Sequence, residues 1–419
     1  MNRLIKANLV YPVIGEPVKG GGVVVRDGII DNVGKVDKMD AGAFDDVIDL
    51  SGYLIMPGFV NGHSHLQWSA AKGKTMRGAP FTDWIKSIVM ARDEITETER
   101  LSATRRGIEE MLLSGVTTVA DVVSEADFAR PLLDSDMRSV ILIEPIAPHE
   151  KDAEQTGLFV RSQIEKLLKI GATAGIAPHS PYTVSPKLFI MLRKLSDQMK
   201  LPFSVHLAET SEEDMYVRKG SGGLEQLLKL SGFIPKGYNG RGKSPVAWLE
   251  SLGVLQGCLA VHLNAVDDND ILLLAKENAA PVFCPQSSKW FEREKVMPLE
   301  SLMDAGLRPA IGTDSLASND SLSMLDELRC ATEYFPDIRR EALIEAATIN
   351  GARHLSLNCG SIEKGRLADI IGFRWDGSQN PVDTIFAAEK AEFVMINGRP
   401  LRRPDGIKYW GWRQSRGAC

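Results

Sequence analysis

The stretch Leu54-Ile55-Met56-Pro57-Gly58-Phe59-Val60-Asn61-Gly62-His63-Ser64-His65 decides how the rest of the chain is read. Its apolar half reads as a buried strand over 55–60, and in a strand residues i and i+2 face the same way. His63 and His65 then aim two imidazoles at one point, which suits a transition metal. Two unrelated core or surface histidines are the alternative here, and the remainder of the chain decides between them.

Moving outward, further apolar runs follow at 117–123, 139–146, 174–177, 202–207, 258–263, 280–284 and 308–312, separated by amphipathic helical stretches. Thr96-x-x-Glu99 is a capping box, and Leu101, Thr104, Ile108, Met111 and Leu112 keep helical spacing until Gly115 stops it. Ser185-Pro186 opens a second helix. Eight strand–helix units over about 260 residues imply a parallel sheet on the scale of a (β/α)₈ TIM barrel. An open doubly wound sheet has no Gly-x-Gly-x-x-Gly to support it. The two ends read differently. Asp27-Gly28 and Asn397-Gly398 are hairpin signals between β-like runs. The expected organisation is α/β: residues 57–359 form the barrel, and residues 1–56 with 360–419 form one small β-sandwich.

The chain has 419 residues, 44% of them apolar and 25% charged, as in ordinary soluble globular proteins. A net charge of −6 with no basic aromatic patch argues against a nucleic-acid partner. No apolar run reaches membrane-spanning length, so no membrane partner is expected. The opening Met1-Asn2-Arg3-Leu4-Ile5-Lys6 has no apolar export segment, and Cys258, Cys284, Cys330, Cys359 and Cys419 form no Cys-x-x-Cys pair. Both point to a cytoplasmic protein with reduced thiols.

Catalytic groups of a barrel gather at the carboxyl ends of its strands. Of the 7 histidines, all but His354 lie at or just past expected strand ends: His63, His65, His149, His179, His206 and His262. Asp121, Glu144 and Asp314 end strands too. Scattered core histidines would not cluster in this way. Three imidazoles and a carboxylate, His63, His65, His206 and Asp314, make a ligand set for one divalent metal per subunit, zinc or alternatively iron. Such a metal lowers the pKa of a bound water toward neutrality. Glu209, three residues past His206, leaves its strand where it can move a proton between water and substrate; a solvated loop acid is the alternative. His262 is set to orient the water or steady developing oxygen charge, or else to hold a ligand in place.

Several segments, in this order, resemble the amidohydrolase superfamily, specifically its cyclic deaminase and chlorohydrolase branch. They are 56–65, Ser114-Gly115-Val116-Thr117-Thr118, Val205-His206-Leu207-Ala208-Glu209-Thr210, Ala260-Val261-His262, Ile311-Gly312-Thr313-Asp314-Ser315 and 360–369. The resemblance covers nearly the whole chain. It implies a barrel beside a small β-sandwich, the four ligand roles above, and proton-transfer roles for Glu209, His262 and Asp314. The implied reaction is addition of water to an amino-bearing carbon of an electron-poor ring, followed by loss of ammonia. Segments 61–67, 81–85 and 312–319 are similar to aminodeoxyfutalosine deaminases, and the chain also resembles S-adenosylhomocysteine and methylthioadenosine deaminases, from which it departs at Thr82 and at 283–288. The substrate implied is therefore a 6-amino purine nucleoside, aminodeoxyfutalosine or adenosine-like. Guanine, pterin or triazine rings are the alternative substrates, and a non-catalytic barrel scaffold is the alternative class. His179 resembles a substrate-contacting position. Trp84, expected on a loop, stacks on the heterocycle or anchors the loop. Gln67, Trp68, Arg77 and Ser287 are further candidate substrate contacts. The branch also implies a homo-oligomer. The segment Gly220 to Lys243 is read as a long loop that closes over substrate or runs along the surface.

Overall fold

The structure is a computed structural model that describes residues 1–39 and 44–402. The last part of the expected terminal domain, including Cys419, lies outside the described residues.

Both termini build one eight-stranded sheet. Its hydrogen-bonded order is Arg399–Arg402, Phe393–Ile396, Ile370–Arg374, Asp46–Pro57, Asn2–Val10, Gly21–Arg26 and Ile29–Lys35, with Val18–Lys19 beside Asn2–Val10. Asn2–Val10 and Asp46–Pro57 run parallel, and the other pairs are antiparallel. The two hairpin signals form as read. Asp27 and Gly28 have φ of 48° and 83°, and Asn397 and Gly398 have φ of 52° and 73°. Two successive left-handed residues match the twist of the flanking strands.

The middle of the chain holds two four-stranded parallel sheets. One runs Phe59–Ser64, Val116–Val123, Arg138–Ile143, Thr173–Ile176; the other runs Ser204–Leu207, Leu259–His262, Ala280–Phe283, Ala310–Ile311. Isolated parallel bridges, Ile176 to Phe203 and Ser64 to Asp314, join them at both seams. Nearly every residue of these strands is buried, as in parallel sheets covered on both faces. The helix Glu97–Ser114 starts at the Thr96/Glu99 capping box and ends at Gly115, whose φ is 96°. The helix Pro186–Met199 follows Ser185 as expected.

Three readings are corrected. The run 54–60 is not one strand, because Gly58 divides it between two sheets. The Gly58 N–H donates to the Asp369 carbonyl of the terminal sheet, and Phe59 N–H donates to Gly115 ahead of the next parallel strand. Trp84 lies not on a loop but on the helix Phe81–Glu94. Its residues Phe81, Trp84, Ile85, Ile88, Val89 and Arg92 recur at helical spacing along a single cavity wall. The segment Gly220 to Lys243 contains the helix Gly223–Leu230. Leu224 and Leu228 are buried there, and this apolar face is enough to hold a two-turn helix against the core. Cys258, Cys284, Cys330 and Cys359 are free and buried. Among the described residues no helix is long and apolar enough to cross a membrane.

Candidate active site

The first and last strands of the two parallel sheets are fastened together at the motif that organises the chain. Asn61 Nδ2 donates to Thr313 Oγ1 at 2.7 Å, while its Oδ1 accepts from the backbone N–H groups of His63 and Thr313, each at 3.2 Å. The carbonyl of His63 accepts from the N–H groups of Thr313 and Asp314. The approach is so close that a Cβ on Gly312 would lie 2.9 Å from His63 Cβ. Asp121 Oδ1 accepts from Ser64 Oγ and Leu66 N, both at 2.8 Å, and so grips the chain on either side of His65. Ala208, His262, Leu263 and Asp314 have φ of 49°, 77°, 47° and 56°. Left-handed backbone at non-glycine residues is strained, and here it clusters where strands end at the site.

The side chains converge. The ligating atoms of His63, His65 and His206 all lie within 4.8 Å of one another. His65 Nε2 faces His206 Nε2 at 3.0 Å, and Asp314 Oδ1 is 3.8 Å from His63 Nε2. Asp314 Oδ2 is occupied by Ser287 Oγ at 2.9 Å and Ser318 Oγ at 2.7 Å, which directs Oδ1 toward the histidines. The His262 ring stacks 5.5 Å from that of His206. Burial pushes His63, His65 and His179 well below the usual imidazole range, and takes His262 down to about 3. The rings are therefore neutral, the form that ligates metals. Both ring nitrogens of His63 and Nδ1 of His65 are buried without a hydrogen-bond partner. Buried polar atoms are rarely left so. Two imidazoles with unpartnered nitrogens, the His206 ring beside them and a carboxylate opposite fit one divalent cation.

A second grouping, Glu144, His179 and His206, shares one ring with the first. Burial raises the Glu144 carboxyl to about 8, and its Oε1 has no hydrogen-bond partner and lies 3.8 Å from His206 Nδ1. Asp314 is held below its ordinary value: burial alone would raise it, but His262, His65 and the Ser318 hydroxyl outweigh that. Glu209 is raised by burial, against the pull of Arg293. Glu213 accepts from the N–H groups of Ala208 and Glu209 and fixes the turn that presents Glu209.

These groups form the floor of a cavity of about 410 Å³. His65, His179, His206, Glu209, His262 and Asp314 line it, and His63 sits buried beside them. Trp84 also lines it, tied by Nε1 to the Ala317 carbonyl at 2.9 Å and stacked on Phe81. Above the floor, Ile85, Ile88, Leu227, Leu228 and Phe233 make an apolar sleeve, so the segment 220–243 contributes to the cavity wall.

Three expected substrate contacts do not reach this cavity. Gln67 is on the 3₁₀ turn Leu66–Ala71, which aims it at Ser124 and gives the wall position to Trp68. Arg77 forms an exposed ion pair with Asp320 at 2.6 Å. Ser287 is spent on Asp314. His149, past a strand end, bonds to the Gly232 carbonyl instead. Sequence reasoning missed Arg293, which pairs with Glu209, and Ser318. Ser318 had a signal, since it lies four residues past Asp314, but Arg293 had none.

Neutral histidines and carboxylates gathered at the carboxyl ends of parallel strands are the layout of a metal-dependent hydrolase. The chain belongs to the amidohydrolase family, which its residues 54–401 match. It is 29% identical over 363 residues to the 5-methylthioadenosine/S-adenosylhomocysteine deaminase of Pyrococcus furiosus, covering 83% of this chain and 80% of that one. It is 27% identical over 393 residues to the aminodeoxyfutalosine deaminase of Deinococcus radiodurans, covering 90% and 91%. The crystal structure of Helicobacter pylori aminofutalosine deaminase in complex with methylthio-coformycin shares the fold. Its TM-score is 0.85 at 23% identity, over 95% of this chain and 99% of that one.

Proposed function

We propose that this protein is a metal-dependent hydrolytic deaminase. It converts a 6-amino purine nucleoside, aminodeoxyfutalosine or an adenosine-like compound, to the 6-oxo form and releases ammonia. The observation that carries this reading is the trio of buried imidazoles facing Asp314, two of them with unpartnered ring nitrogens, with Glu209 on the wall of the same cavity. The deaminase names of two full-length relatives support it.

His63, His65, His206 and Asp314 would hold one divalent cation, zinc or iron, which would lower the pKa of a bound water toward neutrality. Glu209 takes a proton from the attacking water and passes it to the ring nitrogen beside the amino-bearing carbon. Asp314 takes the second proton and returns it to the departing amino group. The balance is water in and ammonia out. His262 donates to the oxygen on which charge develops. His179, on the cavity wall, contacts the heterocycle, and the sleeve around Trp84 covers its apolar faces and excludes water.

We also read the two half-sheets as one closed (β/α)₈ barrel, supported by the bridges at both seams. The terminal strands are read as a small β-sandwich around their own core, which includes Ile5, Val23, Ile48 and Phe393. The boundaries 1–56 and 360–419 against 57–359 are supported to within one residue by the Asp46–Pro57 strand, which stays in the terminal sheet through Pro57.

The test is an absorbance assay for loss of the adenine chromophore. Zinc-loaded protein would be offered aminodeoxyfutalosine, adenosine, methylthioadenosine and S-adenosylhomocysteine in parallel. Wild type turns over at least one. Glu209→Gln keeps its metal and loses about 10²- to 10⁴-fold in kcat. No turnover of any adenine nucleoside by metal-loaded wild type overturns the reading and directs the search to guanine, pterin or triazine rings.

A further inference from the structure

Glu209 stands between two cavities. The one described above lies on one side of it, and a more polar cavity of about 330 Å³ lies on the other. Arg293 lines only the second. From there its Nη2 reaches Glu209 Oε1, and the two side chains are 11% and 9% exposed. Among the described residues this guanidinium is the hydrogen-bond partner of the Glu209 carboxylate. Arg293 is itself held fast. Its guanidinium carbon lies 4.3 Å from the ring centroid of Phe291 and 5.4 Å from that of Phe81, and those two rings meet edge to face. Cation–π contacts of this kind strengthen as water is excluded.

The segment that delivers Arg293 serves both carboxylates of the site. The short helix Pro285–Trp290 carries Ser287, whose hydroxyl bonds to Asp314. The chain then turns through Glu292, at φ 53°, and its next residue is Arg293, with an N–H that donates back to the Ser288 carbonyl. One nine-residue stretch from 285 to 293 thus grips one oxygen of Asp314 and one of Glu209. In each case the second oxygen is left for the reacting groups.

We propose that Arg293 is a positioning residue for Glu209: approaching from outside the substrate cavity, it fixes which carboxylate oxygen faces the ring nitrogen. This rests on Glu209 acting on substrate as proposed above. A carboxylate on a free side chain samples several rotamers, and a misplacement of about 1 Å costs on the order of 100-fold in rate. Removing a salt bridge that only stabilised the fold would lower the melting temperature and leave kcat intact.

The experiment is a double-mutant cycle on the metal-loaded full chain, with a crystal structure of the variant. Arg293→Met is expected to lower kcat about 10- to 100-fold with KM within about threefold. Arg293→Lys, which keeps a cation but loses the planar fork, is expected to fall between Met and wild type. Glu209→Gln combined with either substitution is expected to be no slower than Glu209→Gln alone, because Arg293 acts through Glu209. The Lys variant keeps the cycle available if the Met variant does not fold. Unchanged kcat in the variants, or losses that multiply in the double variants, overturn the proposal. The crystal structure reads it without activity: Glu209 is expected to leave its position on the cavity wall in Arg293→Met, or to shift toward the shorter lysine in Arg293→Lys. An unmoved Glu209 overturns the proposal. Failure of wild type to turn over any nucleoside would instead overturn the deaminase reading, and the position of Glu209 in the variant would still decide this one.

Discussion

The carbonyl oxygen of His179 lies 2.8 Å from Nδ1 of His206 and also accepts the His206 backbone N–H at 3.0 Å. A carbonyl only accepts, so Nδ1 of His206 carries the ring proton and Nε2 is left as a lone pair. That lone pair points at Nε2 of His65. One strand end thus sets the tautomer of a ligand on the next, a common device for orienting a metal-binding histidine.

Because this acceptor is backbone, the His179 side chain is dispensable for the metal. His179→Ala is expected to keep about one metal per chain, by elemental analysis of purified protein, while KM for the nucleoside rises. His63→Ala removes a ligand with no other partner, and its metal content should fall to a small fraction of wild type. Chelation should likewise abolish wild-type turnover and lower its melting temperature, since the folded state binds the ion and the unfolded chain does not hold a preformed site. Full metal in His63→Ala, or metal loss in His179→Ala, would contradict the assignment.

Gly58 is the point at which the chain leaves one sheet for another, and the packing there admits no side chain. A Cβ at this position would lie 2.1 Å from Thr117 Oγ1 and 2.7 Å from Thr117 Cβ, so turning the threonine does not relieve the overlap. Gly58→Ala should destabilise by at least the 1–3 kcal/mol typical of overpacked cores, read as a fall in the urea midpoint. Gly34→Ala is the control, since a Cβ there meets only Met39 Cε at 3.6 Å. It should change the midpoint little. Equal midpoints for the two variants would show that the Gly58 crossing relaxes freely.

That crossing also shows where the sequence stops being legible. The convergence of His63, His65, His206 and Asp314 could be read because strand alternation and the strand-end rule are periodic and local. The two Asn/Asp-Gly hairpins could be read because the turn chemistry leaves few other residues able to take two left-handed conformations. The break at Gly58 could not, since hydropathy is continuous from Leu54 to Val60 and only the partner strands differ. Trp84 reads as a loop residue because it follows the first barrel strand so soon, but Pro80 directly precedes a helix that carries it. Of the two neighbouring candidates Gln67 and Trp68, only Trp68 lines the cavity, because a 3₁₀ turn follows His65 and sets which side chain faces inward. Arg293 arrives through one left-handed residue, and its partner is 84 positions away, so no period announces it.

Asp121 supplies a pH-dependent test of the scaffold under His65. Burial raises its carboxyl to about 7, opposed by the Leu66 N–H and the Ser64 hydroxyl. Both of those bonds go to Oδ1, and Oδ2 is buried without a partner. The folded state therefore keeps a proton that the unfolded chain gives up near the ordinary value of 3.8. With more protons bound in the folded state, the contribution to stability is full below that value and is lost as pH rises toward 7, at up to about 1.4 kcal/mol per pH unit. Asp121→Asn keeps an oxygen for both donors and cannot titrate. Between pH 5 and 7 the unfolding free energy of wild type should fall relative to that of the variant, by roughly 2 kcal/mol over the window. Urea titrations at pH 5, 6 and 7 on both proteins measure the difference directly. A constant difference across the three would mean that Asp121 is ionised throughout, with its second oxygen satisfied by water or a cation reaching it from the cavity side.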